Sequence, residues 1–266
     1  MLQGLKAVVT PVETNSAAEK PVDRLEDIHR LVWANVQGWV GDRIHHILRF
    51  VREYHDAENI RGNIAEIGVH HGKLFFLLSA IARPEEECMA IDLYEDQEKN
   101  LDKSGNGSLA IFTSHLDRHF PQLKSQVRAV QADSMALTPA GVRARLGIDN
   151  ARLFSVDGGH TVAHVVNDLE IAQELIVPGG VVLLDDFLGP LWPSVTEGYF
   201  KYVQTANRKL APFLIFQNKL FLTTYSEHPV VLARLRVYLD NLVGAEIHSR
   251  RWRYAMLGEH KVLCFA

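Results

Sequence analysis

Apolar and polar positions change rhythm along this chain, and the changes divide it. Residues 1–21 hold two prolines and no periodic pattern, which reads as a loosely held N-terminal arm. From Asp23 to about Asn59 the spacing becomes helical. Ile44, Ile47, Leu48 and Val51 fall on one face, so residues 1–59 form an arm and a helical preface to the remainder of the chain. Short apolar runs then alternate with helical stretches. Strands are expected at 63–68, 88–93, 127–131, 152–157 and 181–186, and helices at 73–82, 108–119, 139–146, 163–175 and 194–206. Pro84 closes the first of these helices, and Pro178-Gly179-Gly180 bounds the last strand.

Near-continuous apolar strands separated by helices indicate a parallel sheet covered on both faces. The rhythm breaks after residue 210, where 213–216, 220–224 and 262–265 read as strands with a helix near 229–242. The expected architecture is a Rossmann-like α/β domain over 60–266. Its sheet is doubly wound, mostly parallel and seven-stranded, with an antiparallel C-terminal strand. The glycine-rich polar loop at 102–107 is the segment most open to motion.

Composition narrows the classes. Hydrophobic residues make up 47% of 266 and charged residues 23%, a balance that buries a real core. With a formal net charge of -4 and no basic stripe, nothing points to a nucleic-acid partner. No apolar run reaches the roughly 18 residues that span a bilayer. The first residues are too weakly apolar for a signal peptide. Cys88 and Cys264 lie in apolar strands and read as core thiols in a reducing cytosol, so a cytoplasmic location is expected. A homo-oligomer is compatible with all of this.

The densest chemistry is A-E-I-G-V-H-H-G-K-L-F-F at 65–76. Strand residue Glu66 precedes a turn at Gly68, and Gly72 opens the next helix. Glycine lets the chain turn sharply and lets a ligand lie against the backbone. Such a turn also occurs for packing reasons alone. Two features favour a ligand. Asp92 ends the next strand, 20 residues after Gly72, where a carboxylate can accept both hydroxyl hydrogens of a ribose. His70 occupies the place where a dinucleotide fingerprint has its second glycine. A turn with a preceding acid suits a ligand with a positive amino-acid end, on which Glu66 can act directly or through water.

The chain here resembles the class I S-adenosylmethionine-dependent methyltransferases, over about residues 60–224. The carriers are A-E-I-G-V-H-H-G (65–72), A-I-D-L-Y (90–94), Q-A-D-S (131–134), S-V-D-G-G-H (155–160) and P-G-G-V-V-L-L-D-D-F (178–187). The last two blocks are similar to a metal-dependent branch that includes sugar and macrolide O-methyltransferases of natural-product pathways. The resemblance implies S-adenosyl-L-methionine as cofactor. It implies that the glycine block cradles the methionine part, that Asp92 holds the ribose, and that Asp133 with Ser134 lies at the adenine. The residues expected to bind cofactor are Glu66, Gly68, His70, Gly72, Asp92, Asp133, Ser134 and Asp157.

Asp157 ends the fourth strand, and Asp185 and Asp186 end the fifth. Carboxyl ends of adjacent strands in a doubly wound sheet line one crevice. Three carboxylates there repel one another unless a hard divalent cation, Mg²⁺ above all, neutralises them. The alternative is that Asp157 or Asp186 caps a following helix or turn. The resemblance favours the metal. His160 follows two glycines and can project into the same crevice, where a neutral imidazole accepts a proton from a hydroxyl. The plainer reading is a surface histidine at a helix start.

His164 is a weaker candidate base, His71 another ring of the glycine turn, and His45-His46 a helix surface. The segment 187–202 suits either a substrate-facing wall or a packed loop. The expected reaction is O-methylation of a small-molecule hydroxyl, on a sugar or natural product. Alternatives are a nicotinamide-dependent Rossmann oxidoreductase and a non-catalytic cofactor-binding module.

Overall fold

The computed structural model describes residues 23–147, 149–242 and 252–265; the arm expected at 1–21 lies outside the described residues. Two helices come first, α1 (Arg24–Asn35) and α2 (Ile44–Ala57). Asp23 caps α1 by accepting a hydrogen bond from the Leu25 N–H, which satisfies one of the free donors of the first turn. The apolar stripe of α2 is buried as its spacing requires, with Ile44, Ile47, Leu48 and Val51 all fully covered. Each such side chain contributes about 1.5–3 kcal/mol by leaving water. His45, expected on a helix surface, is buried against the His29 ring.

The alternation follows as β1 (Asn63–Ile67), α3 (Lys73–Ala80), β2 (Cys88–Asp92), α4 (Leu109–His119), β3 (Val127–Gln131), α5 (Pro139–Leu146), β4 (Ala151–Val156), α6 (Val162–Leu175), β5 (Ile176–Leu184) and α7 (Pro193–Tyr202). Then come β6 (Leu210–Phe216), β7 (Lys219–Thr224), α8 (His228–Asn241), β8 (Trp252–Leu257) and β9 (His260–Phe265). The strands form one sheet in the order β3-β2-β1-β4-β5-β7-β6-β9-β8. From β3 to β5 all pairs are parallel, and β7 joins β5 antiparallel. The doubly wound, mostly parallel sheet is thus as the pattern predicts. It runs to nine strands among the described residues, because β8 and β9 form a hairpin that extends the edge beyond β6. In β8 buried and exposed residues do not alternate regularly, which leaves it without a sequence signature.

Helices cover both faces. One apolar cluster joins α1, α2, α3, α4 and α8 to one face of the sheet, and the other joins α5, α6 and α7 to the opposite face. Residues on β4 are buried on both sides, as a central parallel strand demands. Pro178-Gly179-Gly180 lies within β5 and not before it. Ala151 pairs with Ile176 and Leu153 with Val181, so those residues bulge out of register. Among the described residues no helix is long and apolar enough to cross a membrane.

Candidate active site

The order 3-2-1-4-5 reverses direction between β1 and β4, and the carboxyl ends of these strands open on a cavity of about 600 Å³. Ligands of open α/β sheets sit at such a switch point. Two positions show why the sequence places glycine there. Gly68 has a φ of 87°, and a Cβ on it would lie 1.6 Å from the Asp157 carbonyl oxygen. Gly72, with a φ of 95°, would press a Cβ onto Phe76 at 2.5 Å. The glycine turn is therefore folded tightly against the end of β4.

Glu66 is 1% exposed, lines the cavity, and neither carboxylate oxygen has a hydrogen-bond partner among the described residues. Burial pushes its carboxyl up to about 8, with Ser155 and Lys219 pulling the other way. An orphaned buried carboxylate facing a cavity fits a cationic ligand group, which would restore its charge and supply donors. Asp92 accepts the His70 N–H at 2.7 Å and the Tyr94 N–H at 2.6 Å. It braces the glycine turn while facing the cavity, and burial raises its pKa despite those bonds. His70 itself has a φ of 53° and stacks on His71. Asp133 and Ser134 line the cavity beyond β3, where Asp133 accepts the Met135 N–H.

The other wall is acidic. Ligand atoms of Asp157, His160 and Asp186 all lie within 4.8 Å of one another. Asp185, expected with them, also lines the cavity but lies outside that cluster, its carboxylate engaged elsewhere. Its Oδ1 accepts the Asp186 N–H at 2.8 Å, and its Oδ2 pairs with the buried ammonium of Lys219. Asp186 follows the end of β5 with a φ of 55°, and its carboxylate also lines the cavity. Burial, then Asp185 beside it, hold the Asp157 carboxyl well above the usual range. Burial also raises Asp186, but His160 and Asn218 outweigh it and leave its pKa lowered. The two carboxylates offer a hard oxygen donor set that fits a divalent cation such as Mg²⁺.

His160 is held on three sides. Its Nδ1 and backbone N–H both meet Asp102 Oδ2, at 2.9 and 2.6 Å. Its Nε2 lies 3.2 Å from Asp186 Oδ2, and Trp192 stacks on its face at 4.3 Å. Burial lowers the imidazole pKa, but Asp186 and Asp102 outweigh it and raise it. His164 is buried with Nδ1 against the Thr161 hydroxyl at 2.7 Å. The 187–202 stretch divides: Leu191 and Trp192 line the cavity, while Val195, Tyr199 and Tyr202 enter the core.

Residue reading missed Asp102, Trp192, Asn218 and Lys219. Trp192 and Asp102 lie in segments already singled out, 187–202 and 102–107, and Lys219 stands out as a cation opening the otherwise apolar run K-L-F-L. The 102–107 loop, read as mobile, is tied by Asn100, whose Nδ2 donates to the Ser104 and Gly105 carbonyls at 3.3 and 3.1 Å.

Residues 65–187 match the family model described as a methyltransferase domain. Over this segment the chain is similar to methyltransferase domains. The match agrees with the five sequence blocks and favours a methyltransferase over the nicotinamide-dependent and non-catalytic alternatives. No curated protein matches the chain. Among solved structures, the O-methyltransferase NovP is 17% identical, with a TM-score of 0.53 over 72% of this chain and 83% of that one. MycE, a methyltransferase of the mycinamycin biosynthetic pathway solved with Mg and SAH, is 19% identical, with a TM-score of 0.51 over 77% of this chain and 55% of its own. The O-methyltransferase from Bacillus cereus in complex with SAH is 13% identical, with a TM-score of 0.52 over 78% and 93%. At these identities the likeness is one of fold.

Proposed function

We propose that this methyltransferase domain moves a methyl group from S-adenosylmethionine to the hydroxyl of a small molecule, on a sugar or natural product. The observation that carries the reading is the convergence of Asp157, His160 and Asp186 on the cavity that Glu66 and Asp92 also face. Glu66 would hold the ammonium of the methionine part, Asp92 the ribose hydroxyls, and Asp133 with Ser134 the adenine. The acceptor oxygen then attacks the methyl carbon in line, the carbon–sulfur bond breaks, and S-adenosylhomocysteine leaves. Most of the rate would come from holding both partners in that geometry.

Asp157 and Asp186 would hold a Mg²⁺ ion beside the acceptor. Such an ion supplies Lewis acidity to the hydroxyl and neutralises carboxylates that otherwise favour a protonated imidazole. His160 accepts the hydroxyl proton at Nε2 while its Nδ1–H stays on Asp102. The cavity rim supports an acceptor with an apolar body, because Trp39, Leu101 and Leu191 line it and are 77%, 72% and 80% exposed.

Calorimetry with S-adenosylhomocysteine tests the cofactor, and a panel of hydroxylated glycosides and phenols with labelled S-adenosylmethionine tests the transfer. Binding and label transfer that collapses in EDTA and returns with Mg²⁺ are expected. Absence of binding overturns the reading, and full transfer in excess EDTA removes the metal from it.

A further inference from the structure

A second depression, of about 590 Å³, adjoins the main cavity and shares Trp39, His70 and Lys73 with it. The Trp39 indole, 77% exposed, tilts over His70 at 5.4 Å and lines both hollows. Two charge regimes meet there. Six acidic side chains line the main cavity, but among the described residues no Asp or Glu lines the second. Lys73 is its one charged side chain. The Lys73 ammonium lies 5.2 Å from the centre of the Trp33 ring and has no carboxylate partner among the described residues. Its stem runs past Gly38, where a Cβ would lie 2.9 Å from Lys73 Cβ, so glycine clears the path of the lysine.

The second observation is a buried ring. His71 lines the same depression, is 7% exposed, and stacks on His70 at 3.8 Å. Neither of its ring nitrogens has a hydrogen-bond partner among the described residues, nor has His70 Nδ1. Burial lowers the pKa of both rings, His70 to about 4, although the Asn106 backbone and Asp92 pull His71 the other way. A neutral imidazole still offers one N–H. Buried polar groups are ordinarily satisfied, so such a ring beside an open hollow marks a missing partner. An ammonium, an imidazole N–H and the side-chain amides of Gln37 and Asn106 converge where no carboxylate balances them. We infer that this depression is an oxyanion subsite, in which Lys73 and His71 hold a carboxylate or phosphate carried by the acceptor beyond the hydroxyl that is methylated. Trp39 stands at the open rim, so a group seated beneath it enters with the acceptor. Assigning the anion to an acceptor rests on the proposed methyl transfer; the affinity for an oxyanion does not.

The test titrates inorganic phosphate, and separately acetate, into the full chain saturated with S-adenosylhomocysteine and free of Mg²⁺. Proton–nitrogen NMR follows the Trp39 indole N–H and the His71 ring, assigned with Trp39→Phe and His71→Gln. Both signals are expected to move saturably with phosphate or acetate, and not with chloride at matched ionic strength. Lys73→Met should weaken phosphate 10- to 100-fold, the scale of a hydrogen bond to a charged group. Lys73→Arg keeps the charge and should retain most of the affinity. Absence of an oxyanion-specific shift overturns the inference, as does phosphate affinity that survives in Lys73→Met. If phosphate displaces S-adenosylhomocysteine and Lys73→Met weakens that ligand equally, the hollow holds the carboxylate of the cofactor and the acceptor assignment is overturned. Among acceptors, 3,4-dihydroxybenzoate should be preferred to its neutral amide in kcat/KM, and Lys73→Met should erase the preference; equal use by wild type overturns the acceptor assignment. If S-adenosylhomocysteine does not bind at all, the methyl-transfer reading fails, and phosphate titration of the free protein still decides the subsite.

Discussion

The two walls of the cavity are built in opposite ways. On the side of β1 and β2, backbone does the shaping: Gly68 and Gly72 turn left-handed, and Asp92 accepts the His70 and Tyr94 N–H groups. On the side of β4 and β5, side chains from distant parts of the chain do it. His160 meets Asp102, Asp186 and Trp192, and Asp186 also meets Asn218. The first wall is local and rigid by covalent neighbourhood. The second is a charge cluster whose members are balanced one against another, so removing one member disturbs the rest. Damage to the second wall should therefore fall on chemistry or on stability, and damage to the first on cofactor affinity.

The sharpest separation comes from His160→Ala. We expect kcat to fall by about 10²–10⁴, the scale of losing a general base, with S-adenosylhomocysteine affinity unchanged by calorimetry. Asp157→Asn and Asp186→Asn should likewise abolish the Mg²⁺ response of the rate. Should His160→Ala lose cofactor binding instead, the two walls are one unit and the contrast dissolves.

Next in size is Lys219→Met, which leaves Asp185 buried beside Asp157 without its cation. Breaking one half of a buried pair costs about 3–5 kcal/mol, readable as a large drop in Tm. The double variant Lys219→Met with Asp185→Asn should recover part of it. Equal loss in the double variant would mean that Lys219 acts through packing.

The contrast also explains what the sequence could and could not tell. Glu66, Gly68, Gly72 and Asp92 form a pattern of near neighbours, and the backbone geometry of a strand-to-helix turn demands glycine at fixed places. Such a motif survives in one dimension. The alternation of apolar runs with helices made the parallel sheet legible for the same reason. Asp102, Trp192 and Asn218 carry no local signature, because each matters only through a partner brought to it by the sheet order. The three aspartates were visible as strand ends, but their division was not. That Asp186 joins Asp157 and His160 while Asp185 is engaged by Lys219 depends on a partner from β7 and on a φ of 55° at Asp186 that no residue type at that position announces.

On the backbone-built wall the expected effect is smaller. Asp92→Ala removes the acceptor proposed for the ribose and the brace on the glycine turn. A hydrogen bond to a charged group is worth about 1.5–3 kcal/mol, so affinity for S-adenosylhomocysteine should weaken roughly 10- to 100-fold. Unchanged affinity in titration would take Asp92 out of the site.

The smallest effect lies at the seam between the walls, where Asp168 on α6 sits under Gly158. A Cβ on Gly158 would lie 2.7 Å from Asp168 Oδ2, an oxygen with no hydrogen-bond partner among the described residues. The other oxygen accepts from Asn167 Nδ2 at 3.0 Å. Burial pushes this carboxyl up to about 7, against the pull of Asn167 and Ser134. A raised pKa means that the folded chain holds the proton more tightly than the unfolded chain. The stability it contributes is therefore complete in acid and is lost as pH rises from about 4 through about 7. Asp168→Asn keeps the shape and the bond to Asn167 but has no proton to lose. Near pH 4 the variant and wild type should melt close together. By pH 8.5 the variant should be the more stable by about 1–2 kcal/mol, within the range for an unpaired buried polar group. Glu66 has a similarly raised pKa but is present in both proteins, so its contribution cancels in the difference. Thermal unfolding at the two pH values measures the gap directly. A difference that does not grow with pH would mean that Asp168 finds a partner for its second oxygen, and that the seam is as well balanced as the acidic wall beside it.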